Sequence, residues 1–147
     1  MTSASTILER QEENNLLKPP RILSGRGITI PATVFACEAS PLKALVTYLQ
    51  THAGLELTTI AEQLGRSYRT VWGAKGEKDK PLKRTHYHIP LEAYGMRDFS
   101  ILETTVLYLK TAYRLSFSAI AELVEKNPST VWTAWSRARE KLTTVPS

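Results

Sequence analysis

Residues 60–72 read IAEQLGRSYRTVW and residues 120–132 read IAELVEKNPSTVW, so one chain of 147 residues carries the same stretch twice. Laying 40–74 over 100–134 gives 14 identities in 35 positions without a gap, among them Ser40/Ser100, Val46/Val106, Leu49/Leu109, Ile60/Ile120 and Trp72/Trp132. Upstream the offset falls to 59, where Ile30-Pro31 matches Ile89-Pro90 and Phe35 matches Tyr94, so the second copy holds one extra residue near Phe99. Self-similarity at a fixed period marks a duplicated unit, here of roughly 45–55 residues. It constrains the fold more than any total does. Both copies must be able to adopt one architecture, and a chain of this length has room for little else.

Each copy reads as three helices. Ser40-Pro41 places a capping residue before a proline suited to the first helical turn. Leu42, Leu45, Val46 and Leu49 then recur at helical spacing, as do Leu102, Val106 and Leu109, with Ser100 and Glu103 spaced as a capping box. Breaks follow at His52-Ala53-Gly54 and Ala112-Tyr113-Arg114. Short helices are expected over Leu57–Leu64 and Phe117–Glu125, with Ile60-Ala61 and Ile120-Ala121 buried. Ser67 and Asn127 cap the third helices. In the second copy an apolar stripe continues through Val131, Trp135, Ala138 and Leu142, whereas Gly73 and Gly76 end the first copy's helix early. The fold class expected is all-α: two tandem tri-helical units from an internal duplication, with a flexible N-terminal segment. The boundaries are 1–29 for that segment, 30–76 for the first unit, 77–88 for a basic linker and 89–147 for the second unit. Within the first of these, Ile7–Leu17 is read as a frayed polar helix that Pro19-Pro20 stops.

A short helix, a tight turn and a second capped helix form the helix-turn-helix pattern. Ala61 and Ala121 let the helices approach, and Val71 and Val131 plug the third helix into the core. Gly65 stands in the first turn where a positive φ is needed. Glu125 stands at the same place in the second, which is either built differently or strained. The stretch SFSAIAELVEKNPSTVWTAWSRAREKL (116–142) resembles the DNA-binding helix-turn-helix in the fourth region of bacterial sigma factors and in related response-regulator output domains. The resemblance covers Leu102–Leu142 well and Leu42–Ala74 more loosely. It implies recognition of double-stranded DNA. Nothing here resembles the promoter-melting region, so a complete sigma factor is not expected.

In this motif the first turns of the third helix enter the major groove. The DNA-facing set is therefore Arg66, Ser67, Tyr68, Arg69, Trp72 and Lys75 in the first copy. In the second it is Lys126, Asn127, Ser129, Thr130, Trp132, Thr133, Arg137 and Arg139. Arg69 is the best base reader, because a guanidinium can bond two acceptors on guanine. Arg66, Lys75, Lys126, Arg137, Arg139 and Lys141 are placed for phosphate. Trp72 and Trp132 can meet thymine methyls, although their size better suits packing between the copies or against a partner protein. Trp135 is read as core. A tandem pair offers two recognition helices at high effective concentration, with Lys78, Lys80, Lys83 and Arg84 tracking the backbone between them.

The totals agree with this without demanding it. A formal charge of +5 and a pI near 9.4 permit a polyanionic partner. The single Cys37 excludes an internal disulfide framework and suits a reducing cytoplasm. No apolar run reaches the roughly 18–20 residues that span a membrane, and Met1–Lys18 lacks the apolar core of a secretory leader. No nucleophile elbow, phosphate-binding glycine loop or acidic cluster beside a base is present. His86-x-His88 has no third ligand nearby, so catalysis, cofactors and metals are not expected. The reading is a cytoplasmic, nucleoid-associated regulator whose partners are double-stranded DNA, RNA polymerase or another transcription protein, and a second copy of itself, with no membrane partner. The alternatives are a sigma-like adaptor that docks on polymerase, or the DNA-recognition subunit of a recombination or packaging machine.

Overall fold

Residues 27–76 and 82–144 are described by the computed structural model of this chain. The helix expected at Ile7–Leu17, the tether up to Arg26, the linker residues 77–81 with Lys78 and Lys80, and the tail 145–147 lie outside the described residues. The rest is mostly helical. Strand β1 (Thr29–Pro31) leads into a 3-10 turn (Ala32–Phe35) and then into helices α1 (Pro41–Thr51), α2 (Leu57–Leu64) and α3 (Tyr68–Ala74). The same order follows again: β2 (His88–Pro90), a 3-10 turn (Leu91–Gly95), α4 (Ile101–Ala112), α5 (Phe117–Val124) and α6 (Pro128–Thr144). Among the described residues no helix is long and apolar enough to cross a membrane.

The helix starts follow local chemistry. Ser40 Oγ accepts from Lys43 N at 3.2 Å, Ser67 Oγ from Thr70 N at 3.1 Å, and Asn127 Oδ1 from Ser129 N at 3.0 Å. Ser100 and Glu103 form the expected capping box, each side chain serving the other's backbone N–H at 3.1 Å. Helix ends are equally local. Gly65 closes α2 at φ 64°, and Glu125 closes α5 in the same left-handed conformation at φ 53°. The two turns are thus built alike, and α5 ends at Val124 rather than at Glu125. Arg114 (φ 59°) likewise occupies the position that Gly54 (φ 68°) holds in the first half.

The short sheet was not expected. β1 and β2 run antiparallel with Ile30 opposite Ile89, so Thr29 and His88, assigned to the N-terminal segment and the linker, are strand residues. Outside the strands the pairing continues, with Ala32 N donating to Tyr87 O and Leu91 N donating to Ile28 O, both at 2.9 Å. Antiparallel pairs alternate between bonded and non-bonded positions. Residues 28, 30 and 32 take the bonded ones. Pro31 and Pro90 therefore fall where an N–H would point away from the partner, and its absence costs nothing.

These contacts are related by an approximate two-fold axis through the Ile30–Ile89 pair, since each bond recurs when every residue is exchanged for its counterpart 59 positions away. Phe35 and Tyr94 meet beside the axis with ring centroids 6.3 Å apart, and α1 touches α4. Each 3-10 turn touches the first helix of its own half and also reaches across to the other half. The first packs on α5 and the second on α2, so each half completes the other's core. Ile30, Phe35, Leu45, Leu49, Ile60, Leu64, Ile89, Tyr94, Leu109 and Ile120 are fully buried in one continuous cluster. Burying one such side chain contributes about 1.5–3 kcal/mol, against about 0.5–1.5 kcal/mol for a hydrogen bond. The apolar seam, more than the sheet, holds the halves together.

The halves differ at their ends. α3 stops at Ala74, and Lys75 is extended. A Cβ on Gly76 would lie within 3 Å of Thr47 Oγ1, so the chain runs close beneath α1 there. α6 instead continues along α4, burying Ala134 and Ala138. Its Lys141 Nζ donates to Glu103 Oε1 at 2.5 Å and to Asp98 O at 2.8 Å, pairing a carboxylate that is nearly buried. Leu142, expected on the buried stripe, is 51% exposed. The face that α6 covers on α4 is open on α1, where a cavity is lined by Val34, Cys37, Thr47, Tyr48 and Lys75.

Candidate nucleic-acid interface

The residues expected to meet DNA separate into two groups. One group is exposed. On α3, Tyr68, Arg69, Trp72 and Gly73 all face solvent, and Val71 between them is fully buried. On α6, Ser129, Thr130, Trp132, Thr133, Arg137 and Arg139 are exposed around the buried Val131. Val71 fixes which side of α3 faces outward, and Val131 with Ala134 and Ala138 does so for α6. Arg69 and Arg137 have no hydrogen-bond or ion-pair partner among the described residues, so both guanidinium groups are available. Lys75 Nζ lies 4.4 Å from the centre of the Trp72 ring and Arg139 lies 5.8 Å from that of Trp135, cation–π contacts that leave the charges at the surface.

The other group is structural, and here the expectation is corrected. Arg66 donates from Nη1 to Leu64 O at 2.6 Å and Tyr94 O at 3.2 Å, and from Nη2 to Phe99 O at 2.9 Å. Lys126, its counterpart, donates from Nζ to Phe35 O at 3.0 Å and Cys37 O at 3.1 Å. Neither side chain reaches outward to phosphate. Each ties the turn before a third helix to the loop after the other half's 3-10 turn. Partial burial, with Arg97 nearby, lowers the Arg66 pKa. Lys141, also expected at phosphate, is held by Glu103 and Asp98 O. Ser67 and Asn127 are occupied as caps, although both remain exposed.

The tryptophans do not pack between the halves. Trp72 is 51% exposed and Trp132 is 55% exposed, because the seam is already filled by Ile30, Ile89, Phe35 and Tyr94. Trp135 is half-buried against Phe117, at 6.0 Å between ring centres. Of the linker cations in the described residues, Arg84 is exposed, and Lys83 pairs with Glu125 at 2.8 Å, which raises its pKa. Sequence reasoning missed two features of this region. Arg97 is exposed and close to Arg66, which brings another cation to the turn before α3. Gly95 meets that turn so closely that a Cβ on Gly65 would lie 3.0 Å from its carbonyl oxygen. A basic residue recurring at 66 and 126 was the one available signal of the clamp.

No protein-family profile, curated protein or solved structure matches the chain.

Proposed function

We propose that the chain binds double-stranded DNA, as a transcriptional regulator that uses α3 and α6 as the recognition helices of two tandem helix-turn-helix units derived from an internal duplication. The observation that carries this reading is the pair of equivalent helices, each with a buried valine in its first turns beside exposed polar and aromatic groups. Arg69 supplies base readout in the first half, and Lys75, Arg97, Arg137 and Arg139 supply phosphate contacts. The excess of cations over carboxylates agrees with a polyanionic partner. Fluorescence anisotropy against a mixed-sequence duplex of about three helical turns, titrated with salt, tests it, since each phosphate contact contributes roughly 0.9 to the log–log slope. A slope of several units that falls in Arg69→Ala is the expected result. No binding at low salt sinks the reading.

The exposure of both tryptophans favours a second reading, in which this surface docks RNA polymerase or another transcription protein. Half-exposed tryptophan is uncommon on a free surface and is enriched at binding hot spots. Under this reading Trp72→Ala and Trp132→Ala abolish capture of polymerase, and Arg69→Ala leaves it unchanged.

A further inference from the structure

Two copies in one chain can be related in more than one way. A screw-like repeat sends successive recognition helices along a duplex in the same direction, which selects a direct repeat. A two-fold relation turns one helix onto the other with opposite polarity. The bonds here are of the second kind. Ile30 faces Ile89, the bond from Ala32 N to Tyr87 O is matched by that from Leu91 N to Ile28 O, and the clamp from Arg66 to Tyr94 O is matched by that from Lys126 to Phe35 O. A duplex carries its own two-fold axes perpendicular to its length, so a two-fold reader meets two half-sites of opposite orientation.

The clamps also fix the separation. Each recognition helix begins one residue after Arg66-Ser67 or Lys126-Asn127 opens the turn, and those cations are bonded to the other half. The spacing is set by packed backbone and not by the reach of a linker. The tips, however, are unequal. Thr70/Thr130 and Trp72/Trp132 are shared, whereas Arg69 corresponds to Ser129 and Gly73 to Thr133.

Resting on the DNA reading above, we infer that the preferred target is an imperfect inverted repeat. Its half-sites are opposed in orientation and fixed in spacing, and the guanine preference is confined to the half that Arg69 reads. Selection of duplexes from a random-sequence pool by the 147-residue chain tests this. The expected product is an inverted repeat with centres about one helical turn apart, guanine-rich on one side only. Ser129→Arg, which gives the second tip the reading group of the first, shifts the preference to a symmetric site and tightens binding to it by about tenfold. Arg69→Ser removes the guanine preference and keeps the inverted arrangement. Enrichment of direct repeats, of single half-sites, or binding of two duplexes per protein overturns the inference while leaving DNA binding intact. Absence of salt-dependent binding to any duplex overturns the DNA reading itself, and the inference with it.

Discussion

Arg66 and Lys126 serve the fold with the groups that a sequence reader assigns to DNA. Their acceptors are main-chain carbonyls in and just after the opposite 3-10 turns, with Leu64 O of its own half added for Arg66, so removing the side chain leaves three carbonyls without their donor at Arg66 and two at Lys126. Charged hydrogen bonds of this kind contribute about 1.5–3 kcal/mol. Arg66→Ala should lose about that much in urea denaturation, and Arg66→Lys, which copies the second half's solution, should lose less. A second residue-scale test lies at the seam. Thr105 Oγ1 donates to Ile101 O at 2.9 Å, so the Tyr94 hydroxyl must be the donor in its 2.7 Å bond to Thr105. The first half fills these two positions with Phe35 and Leu45. Thr105→Val should cost about 1–3 kcal/mol by orphaning the buried phenol, and adding Tyr94→Phe should recover part of that loss, a coupling read from a double-mutant cycle. Burial pushes the Tyr94 phenol well above its ordinary 10. A group raised in the folded state stabilises fully below its unfolded value and loses that contribution as the pH climbs further. Alkaline unfolding should therefore set in above about pH 10, and later in Tyr94→Phe.

At the scale of elements, caps and turns were legible and pairings were not. Ser40, Ser67, Ser100 and Asn127 announce helix starts because a cap is satisfied within three residues, and Gly65 announces its turn because φ is a local property. β1 and β2 were hidden for the opposite reason. Each holds a proline that argues against a strand, and its partner lies 59 residues away. The clamp escaped for the same cause, since all its acceptors but Leu64 O belong to the main chain of the other half. The outward faces of α3 and α6 were legible in Arg69, Ser129 and Thr133, but the position of Trp72 and Trp132 depended on what else filled the seam. The two turns offer a test of local cost. Gly65→Ala should lose about 1–2 kcal/mol for its left-handed φ, with more from the approach of Gly95 O. Glu125→Gly should be close to neutral or stabilising by thermal melting, because relief of the same strain outweighs a surface ion pair with Lys83 that is worth little.

The whole molecule behaves as one cooperative body if the 3-10 turns that reach across matter as much as their burial implies. Urea unfolding followed by far-ultraviolet circular dichroism and by tryptophan fluorescence should give one coincident transition. Two separable transitions would count against interlocking. Chains spanning 1–76 and 82–147, made separately, should each lack cooperative unfolding, and mixing them should restore it.

The reach of each 3-10 turn into the other half has a consequence for how such a chain responds to its own abundance. A dissociable pair must first find its partner, so its active form rises with the square of concentration when dilute. It can also be poisoned by a defective subunit. Here each half packs on the other half of the same polypeptide. If the DNA reading holds and the chain acts alone, occupancy of a target follows the protein's concentration in simple proportion, with no assembly threshold, and a damaged copy spoils only itself. Without a sister molecule to match, the two halves are free to differ at equivalent positions, as Arg69 and Ser129 do.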